Sequence, residues 1–397
     1  MNISNKDFLL CGLAYTSRTE TIEDYLKDKV KSFTVVAISS CFLKENLSFC
    51  RHYEARALKY EFKIPNLRIK DYKWYRQPLM PFVVIMYFVS ICLSVLKLGK
   101  KYDFYVGVSH TFGLFGVILK KLGIVKSVIY YCIDYYIPTP RRDFHALFIH
   151  LLNMIDRFVA KNADCVWDLS PYFSGYRQEI GKVKIGSYDN IVVSLGYSRN
   201  LRKYTPFEEA SRWKIGFVGS ITANQGLQLL LEALPDILRE LPDIRVTIIG
   251  QGPFLSEFKN MVSRQQLDSY FDFLGFIKDE SQMLDILSRS TIAVALYSDS
   301  IDNKNILCAD TGKPKLYALR GLPIIITKSC SLVKDEIIRS KAGIVIDYRK
   351  EDLKKAVCDL MESEERLKEY RENSFRLGED YVSDRIFDKA MEQFSLN

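Results

Sequence analysis

W-K-I-G-F-V-G-S-I-T-A-N-Q-G-L-Q-L-L-L-E-A-L, residues 213–234, decides how this chain is read. The apolar, glycine-bearing run from Trp213 to Gly219 predicts a buried parallel strand. It ends on Gly219-Ser220 and crosses a polar loop. Beyond Gly226 comes an amphipathic helix with Leu227, Leu230, Leu231 and Leu234 on one face. A second strand, Ile244 to Ile249, leads into Gly250-Gln251-Gly252-Pro253. This is a β-α-β unit whose loops follow strand ends, where open parallel sheets hold ligands. A strand-rich segment of similar length precedes it. The expected architecture is therefore α/β: two Rossmann-type domains with parallel sheets facing a central cleft, a natural place for an activated substrate and its acceptor.

The 397 residues exceed what one core usually supports. The expected division is an N-terminal domain over 1–200, a linker over 201–212 within the polar stretch from Gly196, a second domain over 213–375, and a C-terminal helix over 376–397 packing back on the first domain. Residues 1–210 carry 30 Lys+Arg against 19 Asp+Glu, and the remainder 26 against 29; the nets of +11 and −3 sum to the stated +8. A basic first half points to an anionic partner. The basic residues are scattered and no nucleic-acid motif is present, so nucleic acid is not expected. An anionic membrane surface or a phosphate-bearing acceptor is. Nine cysteines without metal spacing read as reduced core residues of a cytoplasmic protein. The N-terminus lacks a signal-peptide pattern.

Leu79 to Leu96 is uncharged for 18 residues, between Arg76 and Lys97, Lys100 and Lys101. That length is at the lower edge of a membrane span. The strand expected next, around Phe104, belongs to the same sheet as those before it, which favours a helix packed in the domain or lying in a membrane interface over a true span. Residues 41–78 have no clear period and are expected to form short strands and an exposed loop. The strand Phe104 to Val108 runs into His110, and Ser127 to Ile133 into Asp134.

The second half resembles the nucleotide-binding domain of GT-B-fold glycosyltransferases of the group-1, or family-4, type. The resemblance covers about residues 213 to 380. It rests on F-V-G-S at 217–220, N-Q-G-L at 224–227, I-I-G-Q-G-P at 248–253, F-L-G-F at 273–276 and K-L-Y-A-L-R-G-L-P-I-I-I-T at 315–327. The first half fits more loosely, through Y-D-F-Y-V-G-V-S-H at 102–110 and V-I-Y-Y-C-I-D-Y at 128–135. The resemblance implies a retaining transferase that uses a nucleotide-diphosphate sugar as donor, needs no obligatory cofactor, acts on a glycan or lipid-linked acceptor, and serves surface-polysaccharide synthesis. It places Asn224 and Phe276 in the donor site. Departures are marked: counting back from Gly321, the family's two glutamates are replaced by Leu316 and Cys308. Its basic loop residues are Ser220 and Gln225, and its His before the strand-end Asp is Ile133, with Asp134 retained. The missing glutamates leave open a non-catalytic sugar-nucleotide-binding or scaffold subunit. An epimerase of the same architecture is a further alternative, although its acid/base carboxylate pair is not evident.

The residues themselves point to a phosphate site. Thr311 is placed to cap a helix beginning near Gly312, whose N-terminus favours an anion. Lys313 and Lys315 in its first turn are either phosphate ligands or a solvated pair. Asp310 either bonds ribose hydroxyls or caps the helix. Gly219, Ser220, Gly250 and Gly252 follow strand ends, where small residues admit a ligand or simply make tight turns. In the first half His110 and Asp134 are the catalytic candidates, against structural roles. Tyr135, Tyr136, Arg141 and Arg142 are expected to line an acceptor site. Asp299 and Asp302 form no D-x-D, so no metal site is expected.

Overall fold

The computed structural model describes residues 3–14, 17–41, 45–66, 73–138, 143–298 and 310–394. The side chains of residues 17, 73–78 and 331 lie outside that description. Arg141, Arg142, Asp299, Asp302 and Cys308, named above, also fall outside it. The chain divides into two units. The first is Met1–Ser194 with Ile386–Asn397, and the second is Leu195–Arg385.

Unit 1 holds strands β1 (Asp7–Leu13), β2 (Ser32–Ile38), β3 (Phe49–Glu54), β4 (Ala57–Lys63), β5 (Tyr102–Val108), β6 (Val125–Cys132), β7 (Cys165–Asp168) and β8 (Asn190–Val192). Their order is β4-β3-β2-β1-β5-β6-β7-β8. The helices are α1 (Ser17–Lys29), α2 (Lys73–Leu98), α3 (His110–Lys121), α4 (Phe144–Asn162) and α5 (Tyr172–Glu179). Six strands run parallel, but β3 and β4 pair antiparallel at the edge, so this sheet is mixed rather than parallel throughout. The hairpin turns on Ala55 and Arg56, both at positive φ (48° and 67°). That is the twist a two-residue hairpin needs, made here without the Asn-Gly or Asp-Gly that announces it.

Right-handed crossovers decide which face each helix covers. The chain steps from β4 past β3, β2 and β1 to β5, then to β6 and β7, in one direction, so α2, α3 and α4 share a face. The ring pair Phe88–Phe115 joins α2 to α3 at 5.1 Å. The step from β1 to β2 runs the other way and puts α1 opposite. The segment from Ile386 belongs with α1: Tyr25 Oη donates to Asp388 at 3.0 Å, and Phe387 stacks on Trp167 at 5.8 Å.

Unit 2 has strands β9 (Lys214–Val218), β10 (Arg245–Ile249), β11 (Phe271–Gly275), β12 (Ile292–Ala295), β13 (Ile324–Thr327) and β14 (Gly343–Ile346). They are parallel and ordered β11-β10-β9-β12-β13-β14, a doubly wound arrangement that reverses between β9 and β12. Its helices are α6 (Leu227–Glu240), α7 (Leu255–Arg264), α8 (Glu280–Leu287), α9 (Gly312–Leu319), α10 (Ser331–Ser340), α11 (Lys350–Met361) and α12 (Glu364–Gly378). The last helix, α13 (Ser383–Phe394), starts in unit 2 and continues into unit 1. Alternation along each strand builds a core on both faces: Ile215, Phe217 and Ile325 pack with α6 and α11, while Val218, Ile324 and Ile326 pack with α8, α9 and α10.

The stretch expected as a linker is fastened to unit 2. Tyr197 N donates to Tyr381 O at 2.9 Å, Lys203 N to Leu319 O at 3.2 Å, and Ser211 N to Arg289 O at 2.7 Å. Buried Arg371 donates to the carbonyls of Thr205, Ser288 and Ser290. The division therefore falls after Ser194, ahead of the polar composition that suggested it.

Candidate functional site

In unit 2 the loops after β9, β10 and β11 surround a cavity of about 310 Å³. Gly219, Ser220, Gly250 and Phe276 line it, joined by Gln251 and by Met283 of α8, neither of which the sequence singled out. Glycine is required at 250. Its φ is +144°, and a Cβ there would overlap the Gly219 carbonyl oxygen. The two loops therefore cross in backbone contact. The N–H groups of Gly219 and Gly250 donate to the carbonyls of Ile249 and Gly275. Those of Ser220 and Gln251 have no partner among the described residues, which makes them the available donors. Phe276 is 64 % exposed and offers a ring face at the rim. Asn224 and Gly252 do not line the cavity: Asn224 accepts from Thr222 in an exposed turn, and Gly252 packs against the Ile221 backbone.

The first turn of α9 separates the two lysines that the sequence pairs. Lys315 is buried in an ion pair with Asp310, at 2.6 Å, and donates to Leu195 O at 3.0 Å. Asp310 also accepts from Leu195 N. Both groups are thus committed to holding the start of unit 2. Both Asp310 oxygens are engaged, by Lys315 and Leu195 N, and Lys315 is no solvated cation.

Lys313 takes the other direction. It donates to Gln225, and its Cε would lie 2.6 Å from a Cβ placed on Gly219. Its side chain is half-buried, with the amine held between the rings of Phe217 (5.1 Å) and Tyr297 (4.8 Å). Among the described residues no carboxylate pairs with it. Burial pushes its pKa down to about 7. Lys313 is not itself among the residues that line the cavity but stands beside Gly219, which is, and an anion next to the amine would favour its charged form. Thr311 caps α9 through its extended backbone, with no side-chain bond to the helix, and its hydroxyl meets Cys330 Sγ at 2.8 Å. Leu316, at one glutamate position, is an apolar residue of α9 packed against the core.

In unit 1 the parallel strands reverse order between β1 and β5, and a cavity of about 440 Å³ opens at the strand ends there. His110 and Asp134 both line it, with Ser109 and Tyr136. Ser109 has φ 84° and ψ 166°, a conformation costly for any residue but glycine. That turn sets His110 at the head of α3. His110 is 3 % exposed, and its Nε2 has no hydrogen-bond partner among the described residues. Burial lowers its pKa, so the imidazole is neutral near pH 7. His110 lines the cavity with its Nε2 sealed from solvent, and a neutral imidazole can exchange a proton with a hydroxyl that reaches it. Asp134 is exposed at the same rim. Tyr135, in contrast, turns inward to stack on Tyr176.

Behind this cavity lies a buried network that sequence reading missed. Arg177 makes bidentate pairs with Asp156 (2.9 and 3.1 Å) and Asp168 (3.0 and 2.9 Å). Tyr130 also donates to Asp156, at 2.9 Å. His110, Cys132 and Asp156 bring three metal-ligating atom types within 4.8 Å of one another. With the Asp156 carboxylate engaged by Arg177 and Tyr130, that grouping is a structural one. No spacing in the sequence links Asp156, Asp168 and Arg177; only the fold does.

Residues 205–376 match the model of the family Glycosyl transferases group 1. No curated protein matches the chain. Among solved structures, sucrose-phosphate synthase from Thermosynechococcus elongatus is similar over 99% of both chains, with 13% identity and a TM-score of 0.69. HepE from Anabaena, solved with UDP, is 14% identical over 99% of this chain and 100% of its own, with a TM-score of 0.64. The pneumococcal O-GlcNAc transferase GtfA, solved with UDP and GlcNAc, is 14% identical over 89% of this chain and 68% of its own, with a TM-score of 0.56. The chain thus resembles group-1 glycosyltransferases of GT-B fold in both of its α/β units, and diverges from them in lacking the paired glutamates.

Proposed function

We propose that this protein is a glycosyltransferase that moves a sugar from a nucleotide-diphosphate donor to a glycan or lipid-linked acceptor with retention of configuration, in the assembly of a surface polysaccharide. The observation that carries this reading is the unit 2 cavity. Ser220 and Gln251, whose N–H groups have no partner among the described residues, line it, and Lys313, which no carboxylate pairs with among the described residues, stands against Gly219. The leaving group of sugar transfer is a diphosphate, and its negative charge grows as the bond to the sugar breaks. Fixed N–H donors and a half-buried cation stabilise that charge more than they stabilise the bound donor, which is the condition for rate acceleration. UDP is the first donor nucleotide to test, since HepE and GtfA were solved with it. His110, neutral and lining the unit 1 cavity, is the candidate to meet an acceptor or sugar hydroxyl.

Incubating the protein with UDP-sugars carrying a labelled sugar tests this reading. Release of labelled sugar to water, or transfer to an oligosaccharide or lipid-phosphate acceptor, is expected. Tight donor binding with neither outcome across a broad acceptor panel would instead favour a non-catalytic donor-binding subunit. That second reading is motivated by Leu316 in place of a glutamate and by the commitment of Asp310 to Lys315.

A further inference from the structure

We propose that unit 1 docks on the surface of an anionic lipid bilayer through the outward faces of α2 and α4. The long apolar segment found in sequence is helical over Lys73–Leu98, and one side of it is built into the unit. Val83, Tyr87, Ile91 and Val95 are all buried, Tyr87 stacks on Phe112 of α3, and Phe88 packs at a tilt against Phe115 of α3. The other side is bare: Phe82, Ile85, Val89, Leu93 and Leu96 are 49–69 % exposed. Their spacing of three and four residues puts them on one stripe.

A second stripe has the same character. Helix α4 touches α2 on the same face of the sheet and exposes Phe144, Leu147, Leu151, Met154 and Phe158, again at intervals of three and four. Ten large apolar side chains on two neighbouring helices exceed the scattered exposure normal for a folded surface.

Charge identifies the occupant. Within α4 the single carboxylate, Asp156, is buried, and the exposed ionisable groups are His145, His150, Arg157 and Lys161. Helix α2 contains no acidic residue and leads into exposed Lys97 and Lys101. Lys121 at the end of α3 reaches over the Phe158 ring at 5.4 Å, its stem on the apolar stripe. Apart from Asp143, whose carboxylate is engaged in capping α4, the exposed charges described on and beside these two helices are basic, which matches the interface of an anionic bilayer, where side chains enter the headgroup layer and lysines meet phosphates. The helix lies on the membrane and does not cross it. A crossing would strip α2 from α3 and place β4 and β5, strands of one sheet, on opposite sides.

The test is flotation of the full chain with phosphatidylcholine vesicles, with and without phosphatidylglycerol. Two double variants, Ile85→Glu/Leu93→Glu on α2 and Leu147→Glu/Met154→Glu on α4, are compared at unchanged melting temperature. The wild type is expected to float with the anionic vesicles, much less with the neutral ones, and less at raised salt. Each variant should lose at least about tenfold in partitioning, because a carboxylate replaces an inserted side chain. Absence from both vesicle types overturns the proposal. So does a wild-type dimer, seen by light scattering and dissolved by the same variants without any vesicle binding. Retention after carbonate extraction overturns it in favour of a span. None of these readouts depends on sugar transfer, so failure here leaves the transferase reading to its own assay.

Discussion

Replacing Lys313 with Met removes one charge and keeps the stem that fills the space between Phe217 and Tyr297. If the amine meets a diphosphate, the substitution deletes a charge-assisted hydrogen bond of about 1.5–3 kcal/mol, roughly a ten- to hundredfold rise in donor Kd. The pH dependence is the sharper signature. The free protein holds this lysine at a pKa of about 7, below the ordinary lysine value, because burial disfavours the charged form. An anion favours the charged form and raises the pKa on binding. Below pH 7 the lysine is already protonated, and affinity is flat. Above it the protein must take up a proton, and each unit costs about 1.4 kcal/mol, or tenfold, until the pKa of the complex is reached. A nucleotide-diphosphate sugar is the right ligand, because its phosphodiester groups do not titrate in this range. Calorimetry at pH 8 in buffers of different ionisation enthalpy should read close to one proton taken up per molecule bound, and close to none at pH 6. Lys313→Met should abolish the uptake and flatten the profile without loss of thermal stability. A variant that binds the donor as tightly as wild type, with the same pH profile, would refute the assignment of Lys313 to the diphosphate.

Gly250→Ala forces a side chain into the Gly219 carbonyl at φ +144°, and should cost more than about 2 kcal/mol by urea denaturation while weakening donor binding. Lys315→Met leaves Asp310 buried without its cation, so the expected effect is a loss of about 3–5 kcal/mol in stability; a stable variant with lowered turnover would return Lys315 to the ligand. Arg177→Met strands two buried carboxylates, Asp156 and Asp168, and should lower stability by a similar 3–5 kcal/mol or more, read from the unfolding midpoint.

Strand ends were the most legible feature of this sequence. A parallel strand buried on both faces reads as an unbroken apolar run, so Lys214–Val218, Arg245–Ile249 and Ile324–Thr327 stood out, and with them the loops that hold the unit 2 cavity. His110 and Asp134 were singled out for the same reason, each lying just beyond a run, and both line the unit 1 cavity. Direction within a helical turn was not legible. Lys313 and Lys315 are two residues apart, so they point to different sides of α9: one reaches Gly219 and the other Asp310. Composition misplaced the boundary as well, because polar residues 195–212 bind unit 2 through backbone hydrogen bonds that leave no mark on residue type. The β3–β4 hairpin escaped because Ala55 and Arg56 accept positive φ without the usual turn residues. The apolar face of α4 escaped too, since its stripe reads as core until its exposure is known.

Titration calorimetry of the intact chain with UDP, GDP, ADP, CDP and dTDP tests the central claim most directly, since every part of the proposed chemistry needs a diphosphate in the unit 2 cavity. The account predicts saturable binding of at least one of them, with a matching rise in melting temperature because the ligand binds the folded state alone, and loss of both in Gly250→Ala protein at a temperature where it remains folded. Failure of all five to bind pure, folded protein at about millimolar concentration, where even a weak site of about 4 kcal/mol would be half filled, would contradict the account.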